Sequence, residues 1–248
     1  MSAASARSQR MVEAASRSAE AERSHRLLGP VVFAGGLSSI GIELTAARLL
    51  APYFGSSTFI WANLIGLTLT YLSIGYLGGR IADRYPDARI LYAVTGCAAF
   101  TAGLIPLVAR PILSVSLDAF DRVAVGAFYG SLLGTILLFA APITLLGFVT
   151  PYAIRLRLQS VDGAGQTAGR IYALSTIGSI AGSFLPVIVL VPLIGTARTF
   201  LTLSLILLVL SIAGLIEIRA RTLALLAAAL IPLLIGAQAL AAVPRTPR

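Results

Sequence analysis

Long apolar runs dominate the sequence, and polar residues are collected in the short segments between them. Seven runs have the roughly 20 residues that a helix needs to cross a hydrocarbon core of about 30 Å. They cover approximately 27–50, 58–79, 90–108, 124–152, 171–193, 199–216 and 222–243. The apolar residues are continuous and do not alternate, which excludes the strands of a membrane barrel. The pattern predicts an all-α fold, a polytopic transmembrane helical bundle of about seven spans.

The remaining segments are polar. Residues 1–26 have no apolar core of their own, so we expect a cytoplasmic tail followed by an uncleaved first span, and not a signal peptide. Residues 244–248 form a second, short tail. The two longest connections are predicted at 110–122 and 155–170, and glycines in the second of these are compatible with either a hinge or a simple connector.

Composition agrees with a membrane protein. The chain is 57% hydrophobic and 12% charged, whereas soluble proteins are about 45–50% apolar and about 25% charged. The net charge of +9 has no soluble face on which to bind phosphates, so we expect no nucleic-acid partner. Cys97 and His25 are the single cysteine and the single histidine. They exclude an intrachain disulfide and lead us to expect no metal site and no cofactor.

All 19 basic residues are arginines, and their distribution predicts the topology through the positive-inside bias. With the N-terminus inside, thirteen of them fall on inner segments: Arg7, Arg10, Arg17, Arg23, Arg26, Arg80, Arg84, Arg89, Arg155, Arg157, Arg170, Arg219 and Arg221. Five fall outside: Arg110, Arg122, Arg198, Arg245 and Arg248. The remaining one, Arg48, lies near the outer end of the first span. We therefore expect a multi-pass protein of the plasma (inner) membrane with a cytoplasmic N-terminus. With seven spans the C-terminus lies outside, and with six it lies inside.

Glu43 is the acidic residue that lies well inside an apolar run. A carboxylate at that depth costs several kcal/mol unless it is paired, hydrated or protonated, so it should face the bundle interior. It is a candidate proton carrier or cation partner, and the alternative is a structural hydrogen bond or ion pair to another helix. Arg48, five residues on and about 140° round the helix, is not placed to pair with it along one face.

Other residues are candidates for packing or for lining a path. Glycines recur every four residues, which places them on one helix face and allows close helix packing. These are Gly126, Gly130, Gly134, Gly178 and Gly182. Ser175, Ser179 and Ser183 form a serine stripe beside the last two, and the alternative to packing is that these small residues line a substrate path or a sliding interface. We take Arg48, Tyr71, Tyr76, Tyr172 and Ser175 as candidates, with Glu43, for a substrate or proton path. We expect no catalytic residue, because no second carboxylate, histidine or cysteine accompanies Glu43.

The segment 79–84, Gly-Arg-Ile-Ala-Asp-Arg, resembles the loop motif between the second and third spans of major facilitator transporters. The resemblance implies a cytoplasmic latch of Gly79, Asp83 and Arg84 that controls the packing of moving helices. Pro86 departs from the motif, which prefers a second glycine there. From charge chemistry alone, Asp83 has two roles open to it: it caps the next helix or pairs with an arginine.

A wider resemblance, over roughly residues 35–195, is to the membrane domain of fused major facilitator/spermidine synthase-like proteins. Its first hairpin is matched by Ser39, Glu43, Arg48, Leu49, Pro52, Phe54, Gly55, Ser57, Trp61, Gly66, Gly75, Tyr76, Gly78, Gly79 and Asp83. Later helices are matched by segments 150–155 and 169–178 with Gly182, Pro192 and Gly195. The resemblance implies a major-facilitator-like half.

The synthase domain of those fusions has no counterpart in residues 1–248, so we expect no aminopropyltransferase activity from this chain. Two hypotheses stay open. In the first, the chain is transporter-like, works as a half-bundle or homo-oligomer, and moves a small cationic or polar solute such as a polyamine. In the second, it is a membrane anchor or regulatory partner of a separate synthase-like subunit, and copurification of such a subunit in mild detergent would distinguish the two.

Overall fold

Helices make up all the regular secondary structure in the part of the chain that the structure describes. This computed structural model describes residues 26–120, 126–158 and 163–242. The elements are α1 (Leu28–Phe54), α2 (Thr58–Gly75), α3 (Gly78–Arg84), α4 (Ala88–Phe120), α5 (Gly126–Arg157), α6 (Ala164–Phe184), a π-helical segment (Leu185–Leu190), α7 (Val191–Ile194), α8 (Thr196–Glu217) and α9 (Arg221–Ala242). The predicted all-α helical bundle is confirmed.

Six helical segments in the described ranges are long and apolar enough to cross a membrane. They are Leu28–Phe54, Thr58–Arg84, Ala88–Phe120, Gly126–Arg157, Ala164–Ile194 and Thr196–Glu217. The chain is therefore a multi-pass membrane protein. In α9 the stretch Arg221–Leu233 is a shorter apolar helix, so the seventh span predicted at 222–243 stays a prediction.

The two long connections are shorter than the sequence indicated. Helix α4 continues to Phe120, because Leu113 and Ser116 keep a buried face beyond Pro111. Helix α6 already begins at Ala164, after Gly163 in the left-handed conformation that glycine adopts without strain (φ 83°). Residues 121–125 and 159–162 lie outside the described residues, as do the predicted tails at 1–26, apart from Arg26, and at 244–248.

Small residues bring α1 and α6 into backbone contact. A Cβ atom on Gly178 would collide with the carbonyl oxygen of Phe33, and one on Gly182 would collide with that of Leu37. In a membrane, the lipid tails are as apolar as the side chains, so the hydrophobic effect does not drive helices together. They associate through such close packing instead. The glycines of α5 pack in the same way: Gly126 against Phe120, Gly130 against Phe54 and Ser116, and Gly134 against Leu113.

Hydroxyl groups add hydrogen bonds between helices. Ser204 on α8 donates to the carbonyl oxygen of Ala99 at 2.6 Å, and Ser211 donates to that of Tyr92 at 2.7 Å. All four residues are buried. Because a polar group in an apolar interior is costly without a partner, these bonds favour one register of α8 against α4.

The spans are unequally buried within the bundle. The first span is the most enclosed, with 67% of its apolar window buried, whereas the values are 33% for the second and 17% for the fifth. Helix α1 packs closely on α6, while α2 packs mainly on α5. As a result α1 and α2 stand apart, and two clefts lie where α1, α2 and α6 face one another.

Candidate functional site

The first cleft is lined largely by hydroxyl groups and small residues of α1, α2, α5 and α6. We name it the Ser175 cleft; its volume is about 130 Å³. Its lining consists of Gly35, Gly36, Ser39, Ile40, Leu72, Tyr76, Leu146, Gly147, Thr150, Tyr172, Ser175, Thr176 and Ser179. The glycines let the backbones approach, and the serines and threonines between them supply donors and acceptors.

Several of these hydroxyl groups are available to a ligand. The hydroxyl oxygens of Thr150 and Ser175 lie 3.1 Å apart and share one hydrogen bond, which leaves both with further capacity. The Ser39 hydroxyl also has no partner among the described residues, but its oxygen is buried and is not open to the cleft. Tyr76 and Tyr172 stand at the cleft with more than half of each side chain exposed. The cleft therefore offers hydroxyl groups within a partly apolar surface, and its lining residues carry no fixed charge.

The second cleft lies at the other end of α1. We name it the Arg48 cleft; its volume is about 410 Å³. Its lining consists of Leu44, Ala47, Arg48, Ala51, Gly55, Ser56, Ile60, Trp61, Leu64, Ser183 and Val187. Arg48 is the only charged residue among them, and most of the others are apolar.

Glu43 lies between the two clefts along α1. It follows Ser39 of the first cleft by four residues and precedes Ala47 of the second by four, which places the three on one helix face. The residue is partly buried. No described residue gives its carboxylate a hydrogen bond or an ion pair. Glu43 therefore has no protein partner among the described residues.

No family model, curated protein or solved structure matches the chain. The likeness to facilitator and synthase-like fusion proteins therefore stays a prediction.

The structure separates the predicted path residues into groups. Tyr76, Tyr172 and Ser175 meet in the Ser175 cleft, whereas Arg48 lines the other cleft. Glu43 and Tyr71 line neither cleft. The Tyr71 side chain is 8% exposed, and its hydroxyl has no hydrogen-bond partner in the described part of the chain. Among residues 26–120, 126–158 and 163–242, no three histidine, cysteine, aspartate or glutamate side chains come together at a potential metal site.

Sequence reasoning missed Thr150 as a lining residue of the Ser175 cleft, whereas Ser179 belongs to the serine stripe of α6 that the sequence already indicated. Ser179 follows Ser175 by four residues, so the serine stripe beside the α6 glycines was the signal for it. Its hydroxyl donates to the carbonyl oxygen of Gly36 at 3.3 Å. For Thr150 no signal existed, because its place opposite Ser175 depends on how α5 packs.

Near the C-terminal end of the second span (Thr58–Arg84), Asp83 pairs with Arg155 of α5. The Asp83 carboxylate oxygen Oδ1 lies 2.7 Å from Arg155 Nε. Of the two roles left open by the sequence, the structure shows the ion pair. Arg84 contacts the ring of Tyr85 with its guanidinium carbon 5.8 Å from the centroid, and Gly79 lies against Pro151. The residues of the predicted latch therefore contact α5 or the adjoining turn.

We expect the Asp83–Arg155 pair to contribute little to global stability. The side chains are 67% and 38% exposed, respectively, and exposed pairs contribute about 0–1 kcal/mol because water and salt screen them. In a double-mutant cycle with Asp83→Asn and Arg155→Gln, unfolding in detergent should give a coupling energy below about 1 kcal/mol. A coupling above about 2 kcal/mol would contradict this and indicate that the pair is desolvated in the membrane-bound protein.

Proposed function

We propose that this chain is a transporter-like protein that moves a small cationic or polar solute, such as a polyamine, past Glu43. The observation that carries the proposal is the Glu43 carboxylate, which has no partner among the described residues and lies between two clefts. A carboxylate within a span is costly, and such residues usually mark substrate, ion or proton paths. A solute cation or a proton would supply the charge compensation that the protein leaves open.

The Ser175 cleft supports the polar part of this proposal. Its hydroxyl groups offer hydrogen bonds to amine or hydroxyl groups, and its lack of a fixed charge lets a bound solute leave again. Tyr76 and Tyr172 add rings against which an ammonium group can rest. The sequence of groups along α1, from hydroxyl cleft to carboxylate, fits a cation that is first hydrogen-bonded and then charge-paired.

We propose further that the working unit is a homo-oligomer. Both clefts lie on the side formed by the second and fifth spans, which are the least buried of the six. The hydroxyl groups of the Ser175 cleft on such a side are better covered by protein than by lipid tails, and the second copy of a two-fold dimer would cover that cleft. The mass of the protein in nanodiscs would test this, since a strictly monomeric particle contradicts it. A separate synthase-like subunit, which this chain would anchor or regulate, stays a prediction.

The test of transport is uptake of labelled spermidine into vesicles that contain the purified protein. We expect Glu43→Gln to reduce uptake at least about tenfold, because the amide keeps the size but removes the charge that compensates the cation. Asp118→Asn is the matched control, since this exposed residue near the end of α4 undergoes the same change of carboxylate to amide. It should transport at the wild-type rate.

Two outcomes would contradict the proposal. Wild-type uptake by Glu43→Gln at equal protein content would remove the role of Glu43. Equal uptake of spermidine into vesicles with and without wild-type protein would remove the proposed solute class.

A further inference from the structure

The Arg48 cleft combines one cation with an apolar interior. Its volume of about 410 Å³ lies within the range of about 300–1,000 Å³ that is usual for small-molecule sites. Leu44, Leu64 and Val187 contribute apolar lining from three different spans. A ligand that fills this cleft must therefore be apolar over most of its surface.

The polar groups of the cleft favour an anion. The Arg48 side chain is exposed, and no acidic side chain of the described residues pairs with it. Trp61 and Ser56 add an indole N–H and a hydroxyl, both donors. Helix α2 begins beside them at Thr58 and has no acidic residue in its first turn. The unpaired amide groups of a helix N-terminus also attract negative charge.

The position of Arg48 fits the depth of a lipid phosphate. It lies seven residues before Gly55, where the first hairpin turns, and a long arginine side chain can extend along α1 toward the membrane surface. Trp61, 37% exposed, belongs to the residue type that is enriched at this level of a membrane. The guanidinium group can therefore meet a phosphate while the cleft below it holds a chain.

We propose that the Arg48 cleft binds a membrane phospholipid, with its phosphate paired to the Arg48 guanidinium and an acyl chain lying between α1, α2 and α6. Arginine pairs with phosphate through two parallel hydrogen bonds, and the apolar lining accounts for the rest of the ligand. The site is distinct from the path proposed at Glu43 and does not depend on transport. Its occupation would link α1 to α2, the two helices that stand apart in the bundle.

Trp61 is the single tryptophan of the sequence and lines the cleft, so its fluorescence reports on this site. Delipidated protein in detergent would be titrated with phosphatidylglycerol in the same detergent. We expect a saturable change in emission for the wild type. In Arg48→Gln the apparent Kd should rise on the order of tenfold, since a charge-assisted hydrogen bond is lost. Arg48→Lys keeps the charge but loses the paired hydrogen bonds, so its Kd should lie between those of the wild type and Arg48→Gln.

Arg110→Gln is a closely matched control. A Cβ atom on Gly130 would touch both the Phe54 ring and the Ser116 carbonyl oxygen, so these two residues lie at one level. Arg48 lies six residues before Phe54 on α1, and Arg110 lies six residues before Ser116 on α4. The two arginines are therefore at a similar depth in the bundle, and both are exposed. Arg110→Gln should bind phosphatidylglycerol like the wild type, because Arg110 does not line the cleft.

Three ligands separate the sources of the signal. Phosphatidylglycerol should bind, whereas diacylglycerol lacks the phosphate and inorganic phosphate lacks the chain, so neither should reproduce the saturable change. Equal binding of diacylglycerol would overturn the role of Arg48, and an equal response to inorganic phosphate would overturn the lipid assignment. Absence of a saturable change with phosphatidylglycerol, or equal loss in Arg48→Gln and Arg110→Gln, would overturn the proposal as a whole.

Discussion

Replacement of Gly178 and Gly182 together by alanine is expected to destabilise the protein by about 3 kcal/mol or more, because overpacking of even one methyl group costs roughly 1–3 kcal/mol. Each new Cβ atom would collide with a backbone carbonyl oxygen of α1, at Phe33 or Leu37. A backbone atom cannot turn aside as a flexible side chain does, so α1 and α6 must separate. Since native proteins are stable by only about 5–15 kcal/mol, much of the folded population should be lost.

Gly169→Ala is the control on the same helix. No atom lies within 4 Å of a Cβ placed there, so the added methyl group meets open space and brings only the better helix propensity of alanine, about 1 kcal/mol. The control should be neutral or stabilising, which is opposite in sign to the double variant. Unfolding with a denaturing detergent, followed by circular dichroism, measures both. Equal stability of the two variants would show that the α1–α6 contact is not tight.

The spans were predictable from the sequence because each lipid-crossing helix must present a long apolar run, and this requirement is local. Their ends were less predictable. The apolar run of the third span ends before the charged residue Arg110, but the helix continues to Phe120. It continues because Leu113 and Ser116 still pack against a neighbouring helix. Packing between helices, and not the apolar run, sets that boundary.

The site was predictable only in part, for the same reason. Glu43 was visible because an acid within an apolar run is rare whatever surrounds it. The approach of Thr150 to Ser175, and of Asp83 to Arg155, joins residues on different helices. The serine and glycine stripes indicated which faces would pack, but they did not indicate which helix would lie opposite. The separation of α1 from α2, which creates both clefts, had no signal in the pattern at all.

Glu43→Leu is expected to stabilise the folded protein, by about 1–2 kcal/mol, the usual size of a stabilising change at a site kept for function. The carboxylate is partly buried within a span, and no described residue offers it a hydrogen bond. Leucine has a similar volume and favours a lipid-spanning helix, so the cost of the carboxylate disappears while little packing is lost. The same variant should transport no solute.

The sign of this change separates the two interpretations of Glu43. If the carboxylate held another helix through a hydrogen bond or an ion pair, leucine would leave that partner unsatisfied and destabilise the protein by about 1–3 kcal/mol. Ser73→Leu on α2 is the control, because Ser73 is exposed and its hydroxyl already bonds to the carbonyl oxygen of Leu69 in its own helix; it should change stability by less than about 0.5 kcal/mol. Higher stability with loss of uptake in Glu43→Leu fits a functional acid, whereas lower stability with normal uptake fits a structural one.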